Sequence, residues 1–400
     1  MIRDGKIHLA SSDEKEIYLL PQMANRHGII SGATGTGKTV TLRVLAEDFS
    51  SLGVPVFLPD MKGELSGLLA PMNPDEAIQE RLEETRAAAT YTPEKFPVLF
   101  WDLYGEMGIP LRCSPTQMGP VLLSRLLDLN ETQAGVMDVV FRIADDRALP
   151  ILDFKDLKQM LLYTNEHRQE ISKVYGNIAS SSVSAILRRL LRFEDEGAEP
   201  FFGEPSFELD DLVAVDDDGK GVIHILQARE LYQSPLLYSS FMLWLLSALF
   251  DQLPEVGDVE VPRLAFFFDE AHLLFDALAK PLANKLEQLV RMIRSKGVAV
   301  FFVTQSIRDL PNEILSQLGN RVQHGLRAYT PAEQTMVKVT ADSFRANPNF
   351  DTEEALKELS IGEALISCLD ESGVPQIVEK ATDGDHLAFP AGKGGCGLVA

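Results

Sequence analysis

The chain has 400 residues, 45% hydrophobic and 24% charged, with 28 glycines and 22 prolines. This is globular composition, long enough for one large α/β domain or two ordinary ones. Acidic side chains outnumber basic ones 59 to 37, a formal net charge of -22, which argues against a surface that coats nucleic acid non-specifically but leaves room for a local basic groove.

Ile17–Leu20 is a short apolar run that reads as a strand, and Gly28–Ser31 (GIIS) is a second that leads straight into a glycine-rich loop. Apolar residues at Val40, Leu42, Val44, Leu45 and Phe49 recur at helical spacing, and Val54–Leu58 returns to strand character before Pro59-Asp60. A β-loop-α-β unit within the first sixty residues predicts a parallel sheet. Met72–Glu94 reads as a surface helix with loops and Pro97–Trp101 as a strand. From Thr116 to about Arg192 helical patterns dominate, which predicts a helical insertion with a packing role, and the acidic stretch Glu194–Gly221 reads as a linker or edge loop. The α/β pattern then resumes. Gly221–Leu226, Arg263–Phe268, Val298–Val303 and Arg321–Leu326 are predicted strands; Leu236–Leu253 and Leu282–Arg294 are predicted helices. Glu363–Leu369 and Val374–Glu379 read as a hairpin closed around Glu371-Ser372-Gly373. The expected division is an N-terminal hairpin and first part of the core over 1–115, a helical insertion over 116–200, the second part of the core over 201–380, and a flexible glycine-rich tail over 381–400.

Leu236–Leu253 is too short and too polar for a membrane span and reads as a buried helix. Met1–Lys6 is polar and carries both charges, so no signal peptide is legible and a cytoplasmic protein is expected. Cys113, Cys368 and Cys396 form no CxxC and have no paired histidine; reduced thiols are expected, with no metal cluster.

Gly32-Ala33-Thr34-Gly35-Thr36-Gly37-Lys38-Thr39 fits G-x4-G-K-[ST]. Its glycines let backbone N–H groups approach phosphates, and the helix beginning at Lys38 adds its positive end, with Val40 in the first turn. Lys38 is expected on the β- and γ-phosphates and Thr39 on Mg2+. A P-loop alone hydrolyses nothing. The apolar run Leu264–Phe268 delivers Asp269 and Glu270 at a strand end, where ligands of open α/β sheets bind. Asp269 is expected to hold Mg2+ through water, and Glu270 to orient and deprotonate the attacking water. Gln305, after the next strand, would sense the γ-phosphate or position water, or else serve as a strand-end turn. Arg291, Arg294, Arg321 and Arg327 are candidates to stabilise the transferred phosphoryl group, Arg294 foremost because it directly precedes the Gln305 strand. Asp60 follows the second strand on the same edge, as a contact to the metal shell or as an Asx-type loop cap.

With Asn25-Arg26-His27-Gly28 running into GATGTGKTVTL, then DMKGELSGL, FFFDEAHLLF, RSKGVAVFFVTQ and GNRVQHGLRAYTP, the chain resembles the HerA-like ATPases of the HerA/FtsK superfamily over about residues 5–380. More narrowly it resembles a bacterial family of unknown function with a HerA-helicase-like C-terminal region. The resemblance implies a RecA-like ASCE core with a mostly parallel sheet, in which one strand separates the P-loop strand from the Asp269 strand. It implies hexameric rings, ATP as substrate, Arg294 acting across the subunit boundary, and a second, lesser basic position at Arg321 or Arg327. The β-barrel that precedes the core in HerA is not legible here, nor are the membrane and DNA-reading domains of FtsK. A ring motor acting on DNA, an ATPase driving a protein or secretion-type assembly, and a slow nucleotide-dependent switch are the functions to separate.

Overall fold

The computed structural model describes residues 2–12, 15–69, 71, 93–195, 199–278 and 280–382. Its thirteen strands form one sheet: β1 (Ile2–Arg3), β2 (Lys6–Ser11), β3 (Glu16–Leu19), β4 (Gly28–Ser31), β5 (Val56–Asp60), β6 (Val98–Asp102), β7 (Ile109–Pro110), β8 (Ile223–Gln227), β9 (Leu264–Phe268), β10 (Val298–Thr304), β11 (Asn320–His324), β12 (Glu363–Ser367) and β13 (Glu379–Thr382). The order is β1-β2-β13-β12-β11-β4-β10-β9-β5-β8-β6-β7, with β3 on β2. From β11 to β7 every pairing is parallel; β12, β13 and the N-terminal strands add antiparallel partners at one side. β10 lies between β4 and β9, with Phe302 opposite Ile29 and Phe268, so one strand does separate the P-loop strand from the strand that carries Asp269.

The central strands are apolar without alternation because both faces are covered. Side-chain alternation sends Phe57, Phe266, Phe268 and Phe302 to one face and Phe267, Phe301 and Val303 to the other. Phe57 stacks on Phe266 and Phe268 on Phe302, each at 5.0 Å between ring centres, while Phe267 stacks on Phe301 at 5.2 Å. The helix Lys38–Ser51 covers the second face through Leu42, Leu45 and Phe49. The first face is covered by the helix Pro235–Gln252 and by helices that fill most of residues 115–195. The helix Pro235–Gln252 is buried through most of its length, and among the described residues no helix is long and apolar enough to cross a membrane. Cys113 and Cys368 are buried free thiols.

His27 ties the start of β4 to its neighbours. Its Nε2 lies 2.7 Å from Val290 O and its Nδ1 accepts from Val300 N at 3.1 Å, which fixes a neutral ring with the proton on Nε2; burial lowers its pKa to about 4. Beside it, a Cβ on Gly28 would stand 2.4 Å from the Phe301 ring, so only glycine lets β4 approach β10 there.

Four expectations need correction or supplement. The acidic stretch Glu194–Gly221 is no solvated linker in its described part: Phe201, Phe202, Phe207, Leu209 and Leu212 are buried in the core, and Phe202 stacks on Phe154 at 4.3 Å. Its apolar residues, spaced among acids, anchor it. The C-terminal hairpin is real, but its return strand is Glu379–Thr382 rather than Val374–Glu379, because the turn held by the Asp370 side chain is followed by only an isolated bridge at Pro375. β2 was not legible as a strand, although Asp4-Gly5 between Ile2–Arg3 and Lys6 is a two-residue hairpin turn with both residues at positive φ. The predicted helix Met72–Glu94 and the predicted tail lie almost wholly outside the described residues.

Candidate active site

Parallel register brings four chain segments out at one edge of the sheet. Ser31 pairs with Thr304 of β10 and Gln323 of β11, so Gly32, Gln305 and His324 emerge level with one another. β9 and β5 end alongside, which brings Asp269, Glu270, Asp60 and Lys62 to the same edge. This is where ligands of open parallel sheets bind, outside the carboxyl ends of the strands.

The loop from Gly32 to Gly37 turns with Gly32, Gly35 and Gly37 at positive φ. Gly32 has a second constraint, since a Cβ there would stand 2.6 Å from His324 Cβ. His324 forms the floor of the loop: it is fully buried, burial and the nearby Lys38 charge lower its pKa to about 4, and its Nε2 lies 2.9 Å from Thr41 Oγ1. Ala33 N donates to Gly325 O at 3.0 Å, and Thr36 Oγ1 donates to Ala33 O at 2.7 Å. Lys38 Nζ folds over the loop, donating to Gly32 O at 2.6 Å and Ala33 O at 3.0 Å. Burial lowers its pKa, against the pull of Glu270. Thr39 and Val40 sit in the first turn of the helix.

Glu270 follows β9 in the left-handed region, at φ 48°, a conformation that costs a non-glycine residue energy and recurs at active sites. One carboxylate oxygen, Oε1, is ion-paired with Lys62 Nζ at 2.7 Å; the other, Oε2, lies 3.5 Å from Gln305 Nε2 and 3.5 Å from His272 Nδ1. Burial pushes the Glu270 pKa up, but the hydrogen bond and charge of Lys62 outweigh it and hold the group below the usual carboxylate value. Gln305 reaches in the other direction as well, 3.4 Å from Thr34 Oγ1 of the loop. It therefore bridges the P-loop to the carboxylate. Burial, then the charge of Glu270, push Asp269 up to about 7. Asp269 Oδ1 accepts the backbone N–H of Glu270 at 2.9 Å, and Tyr238 donates to Asp269 O at 3.2 Å.

Lys62 and Tyr238 were missed as members of the site. Lys62 had a sequence signal, two residues beyond the end of a strand that the parallel topology places beside β9. Tyr238 had none, because it sits in a helix that reads only as buried.

The remaining candidates separate. Asp60 is the loop cap of its two readings: Oδ1 accepts Gly63 N at 2.7 Å and Glu64 N at 3.0 Å, and Oδ2 accepts Leu65 N at 2.9 Å. Arg321 is partly buried, and its guanidinium donates to Leu318 O, Ser343 O and Leu315 O of its own chain at 2.8–3.1 Å. Arg327 is exposed, two residues beyond the Gly325 carbonyl that contacts the P-loop. Arg294 stands on the opposite edge of the sheet, before β10, where Nη2 donates to Asp258 Oδ1 at 2.8 Å, and Arg291 lines the same shallow surface. The seven residues of β10 span about 23 Å, so Arg294 cannot serve the P-loop of its own chain.

Asp269 fits a divalent cation, and Thr39 stands in the first turn of the helix that follows the loop. A carboxylate destabilised by burial and by a like charge beside it is what Mg2+ stabilises. Among the described residues no group of three or more His, Cys, Asp or Glu side chains is gathered as a metal cluster.

A parallel sheet with the P-loop and the acidic pair on strands separated by one other defines a RecA-like P-loop ATPase fold. Residues 6–384 match the family described as Helicase HerA-like C-terminal, and the chain belongs to that family. The DNA double-strand break repair helicase HerA of Saccharolobus solfataricus is 22% identical over 372 residues, 91% of this chain and 66% of its own length. A probable helicase of Methanocaldococcus jannaschii is 23% identical, over 93% of this chain and 66% of its own length. The chain thus spans just under two thirds of these relatives. Among solved structures, the plasmid coupling protein TrwB in complex with ADP and Mg2+ superposes with a TM-score of 0.64 at 14% identity, over 98% of this chain and 92% of that one. VirB4 of Thermoanaerobacter pseudethanolicus does so with a TM-score of 0.61 at 14% identity, over 95% and 97%.

Proposed function

We propose that the chain is the ATPase body of a ring-forming motor that acts on DNA, hydrolysing ATP at sites completed by a neighbouring copy. The observation that carries this reading is the convergence of Lys38, Glu270 and Gln305 on one sheet edge, with Gln305 touching both the P-loop and the carboxylate. Residues 1–115 and 201–380 form the core in this reading, 116–200 an insertion within it, and the cytoplasm is its compartment.

Each side chain then has a defined task. The loop N–H groups and Lys38 bind the β- and γ-phosphates, Lys38 exchanging its two carbonyl partners for phosphate oxygens. Thr39 and Asp269 hold Mg2+, which supplies positive charge to the phosphates when bound. Glu270 accepts the proton of the attacking water, with Gln305 orienting that water. Lys62 keeps the Glu270 carboxylate ionised and aimed.

Lys62→Met is therefore expected to lower kcat by about ten-fold through loss of aim at the base, with nucleotide affinity unchanged within two-fold, and Lys62→Arg to recover most of the rate. Steady-state hydrolysis beside a fluorescent-nucleotide titration checks this; an equal loss of affinity would make Lys62 a phosphate ligand instead.

A second reading, an ATPase driving a protein assembly, draws on the net charge of -22, which suits a proteinaceous substrate better than a polyanion. Hydrolysis measured with no DNA, single-stranded DNA and duplex DNA, on material of known oligomeric state, separates the two. Stimulation by either DNA supports the motor. Turnover indifferent to DNA supports the second reading, and binding without turnover removes both in favour of a switch.

A further inference from the structure

Behind β4, on the sheet face away from the helix Lys38–Ser51, a cavity of about 280 Å3 lies under the helices Asn312–Leu315 and Pro331–Asp342. Apolar side chains, among them Ile29, Ile307, Leu315, Val339 and Phe344, make half of its lining, and polar side chains make the rest. It has one cationic lining residue, Arg321. A guanidinium carries five N–H donors. Three of them are spent on the carbonyls of Leu318, Ser343 and Leu315, which leaves two. Among the described residues no carboxylate forms an ion pair with this guanidinium, and burial lowers its pKa. Arg321 is partly buried, and the carbonyl dipoles solvate its charge in part without supplying an opposite one.

We propose that this cavity is a binding site for a small monocarboxylate with an apolar body, its carboxylate on Arg321. The planar fork of a guanidinium matches a carboxylate. A single cation, with no second basic side chain in the lining, fits one negative charge better than the two of a phosphate monoester. The volume of about 280 Å3 falls just below the range of roughly 300–1,000 Å3 for ligand sites, so the body is a short alkyl or phenylalkyl group.

The site communicates with the P-loop. Ser31 and Gln323 both line the cavity. Ser31 Oγ donates to Gln323 Oε1 at 2.5 Å, and Gln323 Nε2 donates to His324 O at 2.8 Å. Ser31 directly precedes Gly32, and His324 is the floor on which Gly32 rests. An occupant that shifts this pair moves the loop, and by linkage nucleotide and carboxylate change each other's affinity by the same factor.

The test is calorimetric titration of the full chain, free of nucleotide, with 4-phenylbutyrate and with 4-phenylbutan-1-ol as its uncharged counterpart. Saturable binding of one acid per chain is expected, with the alcohol weaker by about ten-fold or more. Val339 is 40% exposed at the rim and takes no part in the guanidinium's hydrogen bonds. Val339→Trp fills the cavity and is expected to weaken the acid by about ten-fold with an unchanged melting temperature. Arg321→Met should abolish the preference for acid over alcohol. The proposal is overturned if acid and alcohol bind alike, or if the acid fails to saturate below about 10 mM. It is also overturned if binding disappears in the assembled oligomer, which would make the cavity a contact between copies. None of these readouts uses ATP hydrolysis, so their failure leaves the proposed function standing.

Discussion

Lys38→Ala is expected to remove nucleotide binding, and with it turnover, whereas Glu270→Gln is expected to bind ATP and hold it. The two differ because the side chains act on different parts of the substrate. Lys38 is folded over the P-loop, bonded to Gly32 O and Ala33 O and ready to exchange them for phosphate oxygens. Losing it takes away ground-state binding. Glu270 lies beyond the loop, bridged to it by Gln305. The amide keeps the size and the left-handed backbone position of the glutamate but cannot accept a proton from water. General-base catalysis contributes about 10²–10⁴ in rate, so kcat should fall by that factor while the dissociation constant for ATP stays near the parental value. Rapid-quench single turnover with an ATP titration reads both quantities. Parental hydrolysis by Glu270→Gln would end the assignment of the base.

Arg294→Ala is expected to lose turnover by about 10³–10⁵, the range for arginines that stabilise a transferred phosphoryl group, while its own P-loop still binds nucleotide. The geometry makes this a statement about assembly. Arg294 lies on the far edge of the sheet from Gln305, separated by the length of β10, and its nearest anion is Asp258 on the same exposed surface. It can meet a γ-phosphate only in another copy. Mixing Arg294→Ala with Lys38→Ala chains creates interfaces with an intact P-loop on one side and an intact arginine on the other. Activity should therefore appear in the mixture and peak at intermediate ratios. Mixtures that stay inactive at every ratio would remove the arginine from the reaction, as would undiminished turnover in Arg294→Ala alone.

Much of the core was legible because its signals are local. GIIS runs into a glycine loop and a helix of 3.6-residue period within twenty-five residues, and the observed β4 and Lys38–Ser51 helix follow that pattern closely. The run Leu264–Phe268 ends on two acids because a strand buried on both faces is wholly apolar until it emerges. The N-terminal strands were harder. β2 is short and carries His8 and Ser11, and β13 joins it only through pairing between residues more than three hundred and seventy positions apart, Thr382 with Ser11. The acidic stretch misled for a different reason: net charge per segment hides a few phenylalanines whose burial decides where it lies.

The sequence by itself determined the residue types that chemistry demands: glycines for close approach to phosphate, a lysine and threonine at a helix start, and an acidic pair after an apolar strand. Which of these meet was decided only by tertiary structure. Strand order set β10 between β4 and β9 and so put Gln305 between Thr34 and Glu270. It placed Lys62 on the Glu270 carboxylate, confined Asp60 to its own loop, enclosed Arg321 among backbone carbonyls, and left Arg294 on the far edge. The physical reason is range. Propensity and periodicity act over a turn or a strand, while a contact between side chains two hundred residues apart depends on the register of parallel strands, which no single segment encodes.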